Sequence, residues 1–302
     1  MFFFMPIINL WNYKIYPRPP TPDLSNYYYN SNKIPFYHGS IKSPINPIFY
    51  SSILNLADHC LISQHYTMSK PGTKDLVQNW TAKIPKHFKP EVRLDKSYPN
   101  HMIRPHSMIL TIGQTGSGKT NSIVEYLHRT SGKWYEIIIF TGSNSDEPIY
   151  NFLRNTIDGI IITNDPEELP KISDYEDSED KGADKLVVFD DSVLGEPKVL
   201  KEISKWFMMA RKLGFTCMFL SQDFHKVPPF IRRNVHYIQL FKMTDRRDLR
   251  QIFSKVAGDI PLEQMERMYD ECTKSPGNFL TIDLRASTPA EKYRHNFIGK
   301  LL

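Results

Sequence analysis

The stretch SMILTIGQTGSGKTNSIVEYLHRT, residues 107–130, decides the fold. SMILTIG reads as a buried strand and NSIVEYLHRT as a helix. Between them GQTGSGKT fits the pattern GxxxxGK[ST] as Gly113, Gly118, Lys119 and Thr120. Glycines let such a loop curl until successive backbone N–H groups and the helix N-terminus face phosphate oxygens. The lysine then reaches the terminal phosphates and the threonine hydroxyl ligates magnesium. From average composition the bare pattern arises in about one chain of this length in a hundred, and the strand, loop and helix context makes coincidence rarer. The expected nucleotide cradle is Gly113, Gln114, Thr115, Gly116, Ser117, Gly118, Lys119, Thr120 and Asn121, with ATP and Mg²⁺ as its ligands.

Downstream, LVVFDDS at 186–192 supplies the second half of such a site. Asp190, at the end of an apolar strand, is placed to hold the Mg²⁺ shell with Thr120. Asp191 is placed to polarise an attacking water. The alternative is that the acids merely cap the following turn, but a strand of this kind beside a phosphate loop favours the metal and base roles. A nucleotide kinase would not need the second acid. The strand FTCMFLSQD ends in Gln222, where a polar tip can touch the γ-phosphate or its water; a surface glutamine is the plain account. Arg211, in ARKLGF, is either a cation favoured at a helix C-terminus or a finger offered to a neighbouring subunit's phosphates. Arg232 and Arg233, in PPFIRRNVHY, compete for the finger role. With Lys226 they are also candidates for sequence-independent DNA contacts. Lys242, Arg246, Arg247 and Arg250 extend this basic concentration, though a solvated helix face explains Arg246, Arg247 and Arg250 equally well because DRRDLR alternates in sign.

From Ser107 onward strands and helices alternate: YEIIIFTG, GIIIT, KLVVF, FTCMFLS, HYIQLF and NFLTIDL as strands, with EPIYNFLRN, KVLKEISKWFMMARKLG, RRDLRQIFSKVAG and LEQMERMYDEC as helices. The longest helix carries an apolar stripe at Val199, Ile203, Trp206, Ala210 and Leu213. Such alternation implies an α/β fold with a mostly parallel sheet and ligands at the carboxyl ends of its strands. The acidic loop from Asp165 to Asp184 is expected to be a solvated, mobile insertion. Composition adds bounds. The chain has 302 residues, 24% charged, with a formal charge of +5, a mild basic bias that suits a polyanion without requiring one. Cys60, Cys217 and Cys272 form no CxxC pair, so neither a zinc knuckle nor a disulfide framework is indicated. MFFFMPIINLW at the start is too short for a membrane span and is broken by Pro6, so the protein reads as soluble and intracellular. Residues 1–67 are rich in Tyr, Asn, Ser and Pro and lack a helical or strand period. They are either a disordered or loosely docked arm or, with translation starting at Met68, an over-extended reading frame. The ATPase domain is then 68–302, with 68–105 preceding its core.

GQTGSGKT, LVVFDDS, the helix ending MARKLG, CMFLSQD and VPPFIRRNVHYIQLFK together resemble the FtsK/HerA superfamily of DNA-pumping ATPases. The likeness is strongest to the packaging ATPases of poxvirus-like viruses, virophages and Maverick-type elements, and covers roughly residues 100–300. It implies an additional-strand (ASCE, RecA-like) P-loop fold in which the Gln222 strand lies between the phosphate strand and the Asp190 strand. It also implies a homo-oligomeric ring, pentameric or hexameric, with nucleotide at the subunit interfaces, and it favours Arg211 over Arg232 and Arg233 as the finger. On this reading the chain translocates double-stranded DNA into a preformed capsid in host cytoplasm, virus factory or virion, with capsid proteins as partners. The rivals are another ring motor, such as a helicase or conjugation-type coupling ATPase, and a nucleotide-dependent assembly switch that touches only protein. The aspartate at 191 departs from the glutamate of many relatives.

Overall fold

The computed structural model describes residues 83–85, 95–142, 144–180, 182–191, 197–258 and 260–302. The expectations for residues 1–67 lie outside them, and everything below concerns the unit running from residue 95 to the end. Its centre is a sheet of nine strands in the order β3-β2-β4-β5-β1-β6-β7-β8-β9. The strands are β1 (Met108–Ile112), β2 (Glu136–Thr141), β3 (Ile161–Thr163), β4 (Lys185–Asp190), β5 (Phe215–Ser221), β6 (Tyr237–Leu240), β7 (Leu280–Asp283), β8 (Tyr293–His295) and β9 (Gly299–Lys300). From β3 across to β6 all pairings are parallel, and β7 to β9 add an antiparallel edge. The fold is thus α/β with a mostly parallel sheet, as the sequence implies. The Gln222 strand, β5, pairs with β1 on one side and β4 on the other.

The strands read as unbroken apolar runs because both faces of the sheet are covered. On one face Ile109, Ile137, Ile139, Val188, Met218 and Leu220 pack with Ile123, Tyr126 and Leu127 of α1 (Lys119–Arg129) and Tyr150 and Leu153 of α2 (Pro148–Thr156). On the other, Leu110, Phe140, Phe189, Phe215 and Phe219 meet α3 (Pro197–Met209), α4 (Pro229–Asn234), α5 (Arg246–Val256) and α6 (Leu262–Cys272). The predicted stripe of the longest helix is buried at all five positions. Its last turn tightens, however, into a 3₁₀ turn, Ala210–Leu213, closed by Gly214 at φ 83°. Trp206 stands edge-on to Phe215, with ring centroids 4.9 Å apart, and Tyr175 meets the same Phe215 at 4.9 Å. Tyr175 belongs to the acidic loop, which is therefore no freely solvated insertion. Leu169 and Ile172 are buried in the core, and the Tyr175 hydroxyl donates to Glu136 at 2.9 Å. Helix α4, in PPFIRRN, is an element that the sequence pattern did not announce.

Two histidines at the edge where the parallel strands begin are held neutral. The Met108 N–H donates to Nδ1 of His236 at 3.0 Å and the Ile103 N–H to Nδ1 of His101 at 3.0 Å. Burial first, then Arg285 and Arg211, lowers the His236 pKa to about 4; burial, then Lys133, lowers that of His101 to about 4 against the pull of Asp95. A depressed folded pKa contributes stability that is present above the unfolded value of 6.5 and is lost as pH falls through the folded one. Calorimetry across this range is expected to show a melting temperature declining from pH 6.5 towards pH 4. His236→Gln should flatten part of that decline, and an unchanged slope would assign the loss to other groups.

Candidate functional site: a phosphate loop joined to two aspartates

The parallel register brings three strand ends together. Ile112 is level with Ser221, and Asp190 with Leu220. The residues that follow, Gly113, Gln222 and Asp191, therefore emerge side by side at the carboxyl edge. The phosphate loop is fastened to both flanking strands: the Gly113 N–H donates to the Ser221 carbonyl at 3.2 Å and the Gln114 N–H to the Lys242 carbonyl at 2.9 Å. Thr244 adds a hydroxyl bond to Gln114 Oε1 at 2.8 Å. A side chain at Gly113 would put its Cβ 2.4 Å from that of Phe241. Gly118 sits at φ 99°, with space for a Cβ closed by Gly277 Cα at 2.8 Å. Gly113 is thus required by the close approach of the Phe241 side chain, and Gly118 by close backbone approach as well as by its left-handed φ.

Lys119 is buried, its ammonium donating to the loop carbonyls of Gly113 at 2.8 Å and Gln114 at 3.1 Å. Burial lowers its pKa, while Asp191 and Asp190 act to raise it. The Thr120 hydroxyl donates to Asp190 Oδ2 at 2.9 Å, and the Tyr150 hydroxyl reaches the same oxygen at 2.8 Å. Burial raises the Asp190 pKa despite these two donors, so the carboxylate is held where added positive charge is favourable. Hard oxygen donors on Thr120 and Asp190 suit magnesium. Among the described residues no cluster of three or more His, Cys, Asp or Glu forms a protein cage. Mg²⁺ fits such a site because it keeps waters and takes its remaining oxygens from substrate phosphates.

The second acid is wired separately. Thr115 Oγ1 donates to Gln222 Oε1 at 2.7 Å, and Gln222 Nε2 donates to Asp191 Oδ2 at 2.6 Å. Asp191 has φ 49°, a left-handed backbone uncommon outside glycine. The loop, the strand-end glutamine and the acid thus form one relay across β1, β5 and β4. Tyr150 is the residue that sequence reasoning missed. It lies in EPIYNFLRN, where an aromatic at a helical position reads only as core.

The remaining expected residues divide. Asn121 is exposed on the first turn of α1, directly after the loop. Arg211 is exposed in the 3₁₀ turn before β5. The seven residues of that strand, at about 3.3 Å each, separate it from its own phosphate loop by roughly 20 Å. It does not join the site of its own chain. Lys226 is exposed in the loop after Gln222 and Arg233 on α4, whereas the Arg232 guanidinium lies 4.9 Å over the Phe224 ring. Arg246 pairs with Asp270 at 2.8 Å and Arg250 with Glu266 at 2.6 Å, so both of these α5 cations are held in ion pairs with α6. No helix among the described residues is long and apolar enough to cross a membrane.

No protein-family model and no curated protein matches the chain. Among solved structures it is similar to the genome packaging NTPase B204 from Sulfolobus turreted icosahedral virus 2 in complex with ATP-gammaS. That match has 15% identity, covers 63% of this chain and 96% of that one, and has a TM-score of 0.44. It is also similar to ATPases 2 and 3 of EssC from Geobacillus thermodenitrificans, at 16% identity over 65% of this chain and 40% of that one, with a TM-score of 0.43. ATPases 2 and 3 of EccC from Thermomonospora curvata, in complex with a signal sequence peptide, match at 11% identity over 69% and 39%, with a TM-score of 0.41.

Tyr150→Phe removes one of the donors to Asp190. It is expected to cost about 1 kcal/mol of stability and to lower nucleoside triphosphate turnover about tenfold, in a phosphate-release assay beside a thermal melt. Full turnover would make Tyr150 a packing residue only.

Proposed function

We propose that the chain is an ATP-hydrolysing translocase of double-stranded DNA, one subunit of a pentameric or hexameric ring that fills a preformed viral capsid with its genome. The observation that most supports this reading is the relay from Thr115 through Gln222 to Asp191, set beside the Lys119 loop and the Thr120–Asp190 pair. Nucleotide binding alone needs the loop and the first acid. A second acid tied to the phosphate loop through another strand's tip is what a hydrolase needs to link the state of the γ-phosphate to the rest of the fold.

In this mechanism the loop amides and the Lys119 ammonium hold the β- and γ-phosphates, so the terminal phosphorus is fixed for in-line attack. Magnesium, when bound, neutralises charge on the phosphate oxygens; Thr120 and Asp190 are the residues that hold it. Asp191 accepts the proton of a water as that water's oxygen bonds to the γ-phosphorus and the bond to the bridging oxygen of ADP breaks. Gln222 orients the Asp191 carboxylate and loses or gains its partners as phosphate leaves. The chain from Gln222 continues directly into Lys226 and then α4 with Arg232 and Arg233, so displacement at the γ-phosphate passes by covalent continuity to cations suited to a DNA backbone. Arg211, remote from its own loop, acts on the nucleotide of a neighbouring subunit. Capsid proteins are the further partners, and host cytoplasm, virus factory or virion is the place of work.

Lys119→Ala is expected to abolish nucleotide binding measured by calorimetry. Asp191→Asn should bind ATP yet lose about 10²–10⁴-fold in turnover, and normal turnover would remove Asp191 as the base. Duplex DNA should stimulate ATP hydrolysis, with the stimulation falling steeply as salt rises; no stimulation at low salt would reject the motor. Arg211→Ala subunits mixed with Asp191→Asn subunits should regain part of the activity that each lacks alone. Failure at every mixing ratio would count against action in trans.

A further inference from the structure

Lys185 opens β4 at the edge of the sheet opposite the phosphate loop, and only 1% of it is exposed. Its ammonium donates to two backbone carbonyls, that of Asp180 and, at 3.2 Å, that of Leu213, and it lies 5.3 Å from the centre of the Phe215 ring. Burial lowers its pKa, while Glu136, Asp180 and Asp184 act to raise it. Burying a full charge to hold main-chain oxygens is costly, and an apolar side chain of similar length would fill the space without that cost. The two carbonyls belong to separate segments. Leu213 ends the 3₁₀ turn Ala210–Leu213, whose first and last residues are buried while Arg211 between them is exposed. Asp180 stands near the end of the acidic loop, where the Tyr135 hydroxyl donates to its carboxylate at 2.9 Å.

We propose that Lys185 is a positioning residue for Arg211, its ammonium fixing the turn from which Arg211 reaches the nucleotide of a neighbouring subunit. This rests on the trans action of Arg211 proposed above and adds the group that sets the arginine's direction. The last carbonyls of a helix have no partner inside it, and α3 runs into this turn before Gly214 reverses the chain at φ 83°. The Gly214 N–H closes the turn on the Ala210 carbonyl, and the Gly214 carbonyl accepts the Lys185 N–H at 3.0 Å. The Leu213 carbonyl accepts the Lys185 ammonium. Main chain and side chain of one residue thus hold two consecutive carbonyls at the end of the turn. The bond to Asp180 joins that grip to the acidic loop, whose Tyr175 packs edge-on against Phe215, the first residue of β5. A guanidinium follows any shift of its own backbone, and a misplacement of about 1 Å in catalytic geometry costs about 10²-fold in rate. Without the ammonium the turn keeps its buried ends but loses the bond that sets its pitch, and Arg211 moves with it.

Mixed-subunit turnover of the full chain carrying Lys185→Met tests this. The variant alone should bind ATP in calorimetry as the intact protein does and lose about 10²-fold in kcat with KM unchanged. Mixed with Asp191→Asn subunits, which keep Arg211 and its turn, it should regain part of its turnover, because its own phosphate loop and Asp191 are intact. Mixed with Arg211→Ala subunits it should regain none, since neither partner then offers a placed arginine. Full turnover of Lys185→Met alone, weakened ATP binding, or equal behaviour of the two mixtures would overturn the assignment. The mixture of Arg211→Ala with Asp191→Asn separates the two levels. Its failure rejects the trans action on which the proposal rests, whereas its recovery beside a failed Lys185→Met mixture rejects the role of Lys185 alone. Should Lys185→Met show no cooperative thermal melt, Lys185→Gln, which keeps a donor, enters the same mixtures and the same outcomes decide.

Discussion

The hydrogen bond from Thr120 to Asp190, 2.9 Å long, is the contact on which the rest of the site depends. Its partners come from elements that the sheet keeps apart: Thr120 follows β1, Asp190 ends β4, and β5 lies between them. Two strand spacings of about 4.8 Å open a gap of roughly 10 Å, which the loop and first turn of α1 must cross. A hydroxyl and a carboxylate meet at that distance only if the loop curls as its glycines allow. The same carboxylate oxygen receives Tyr150 from α2, so two helices and a strand converge on one buried charge. Burying it is costly, and two donors offset part of that cost while leaving it receptive to a cation.

The inserted strand has a second effect. By standing between β1 and β4 it places Gln222 beside both the phosphate loop and Asp191, so one amide bonds to both. The opposite end of β5 carries Arg211. One strand thus bears Gln222 at the tip beside its own site, while its other end follows a turn that exposes Arg211.

Much of this was legible in the sequence because parallel strands covered on both faces must be apolar at every position. That is how SMILTI, YEIIIFT, KLVVF and FTCMFLS read. The loop and the acid pair were legible because their chemistry demands particular residue types at particular offsets. The missing parts depend on tertiary placement. Tyr150 looks like core until Asp190 appears beside its hydroxyl. Leu169, Ile172 and Tyr175 are too sparse among acids to show that they anchor their loop. The β8–β9 hairpin is too short for a periodic signal. The ion pairs of Arg246 and Arg250 require knowing that α6 lies beside α5.

The left-handed backbone at Asp191 bears on why an aspartate, rather than the longer acid, occupies that position. Asp and Asn enter this conformation more readily than other residues with a Cβ, because a short polar side chain can satisfy nearby backbone groups. The turn out of β4 therefore acts as a filter on side-chain length before any chemistry is considered. Glutamate here would carry a conformational penalty in addition to a displaced carboxylate. Exchanging the two acids, commonly regarded as conservative, is in this chain a change of backbone preference.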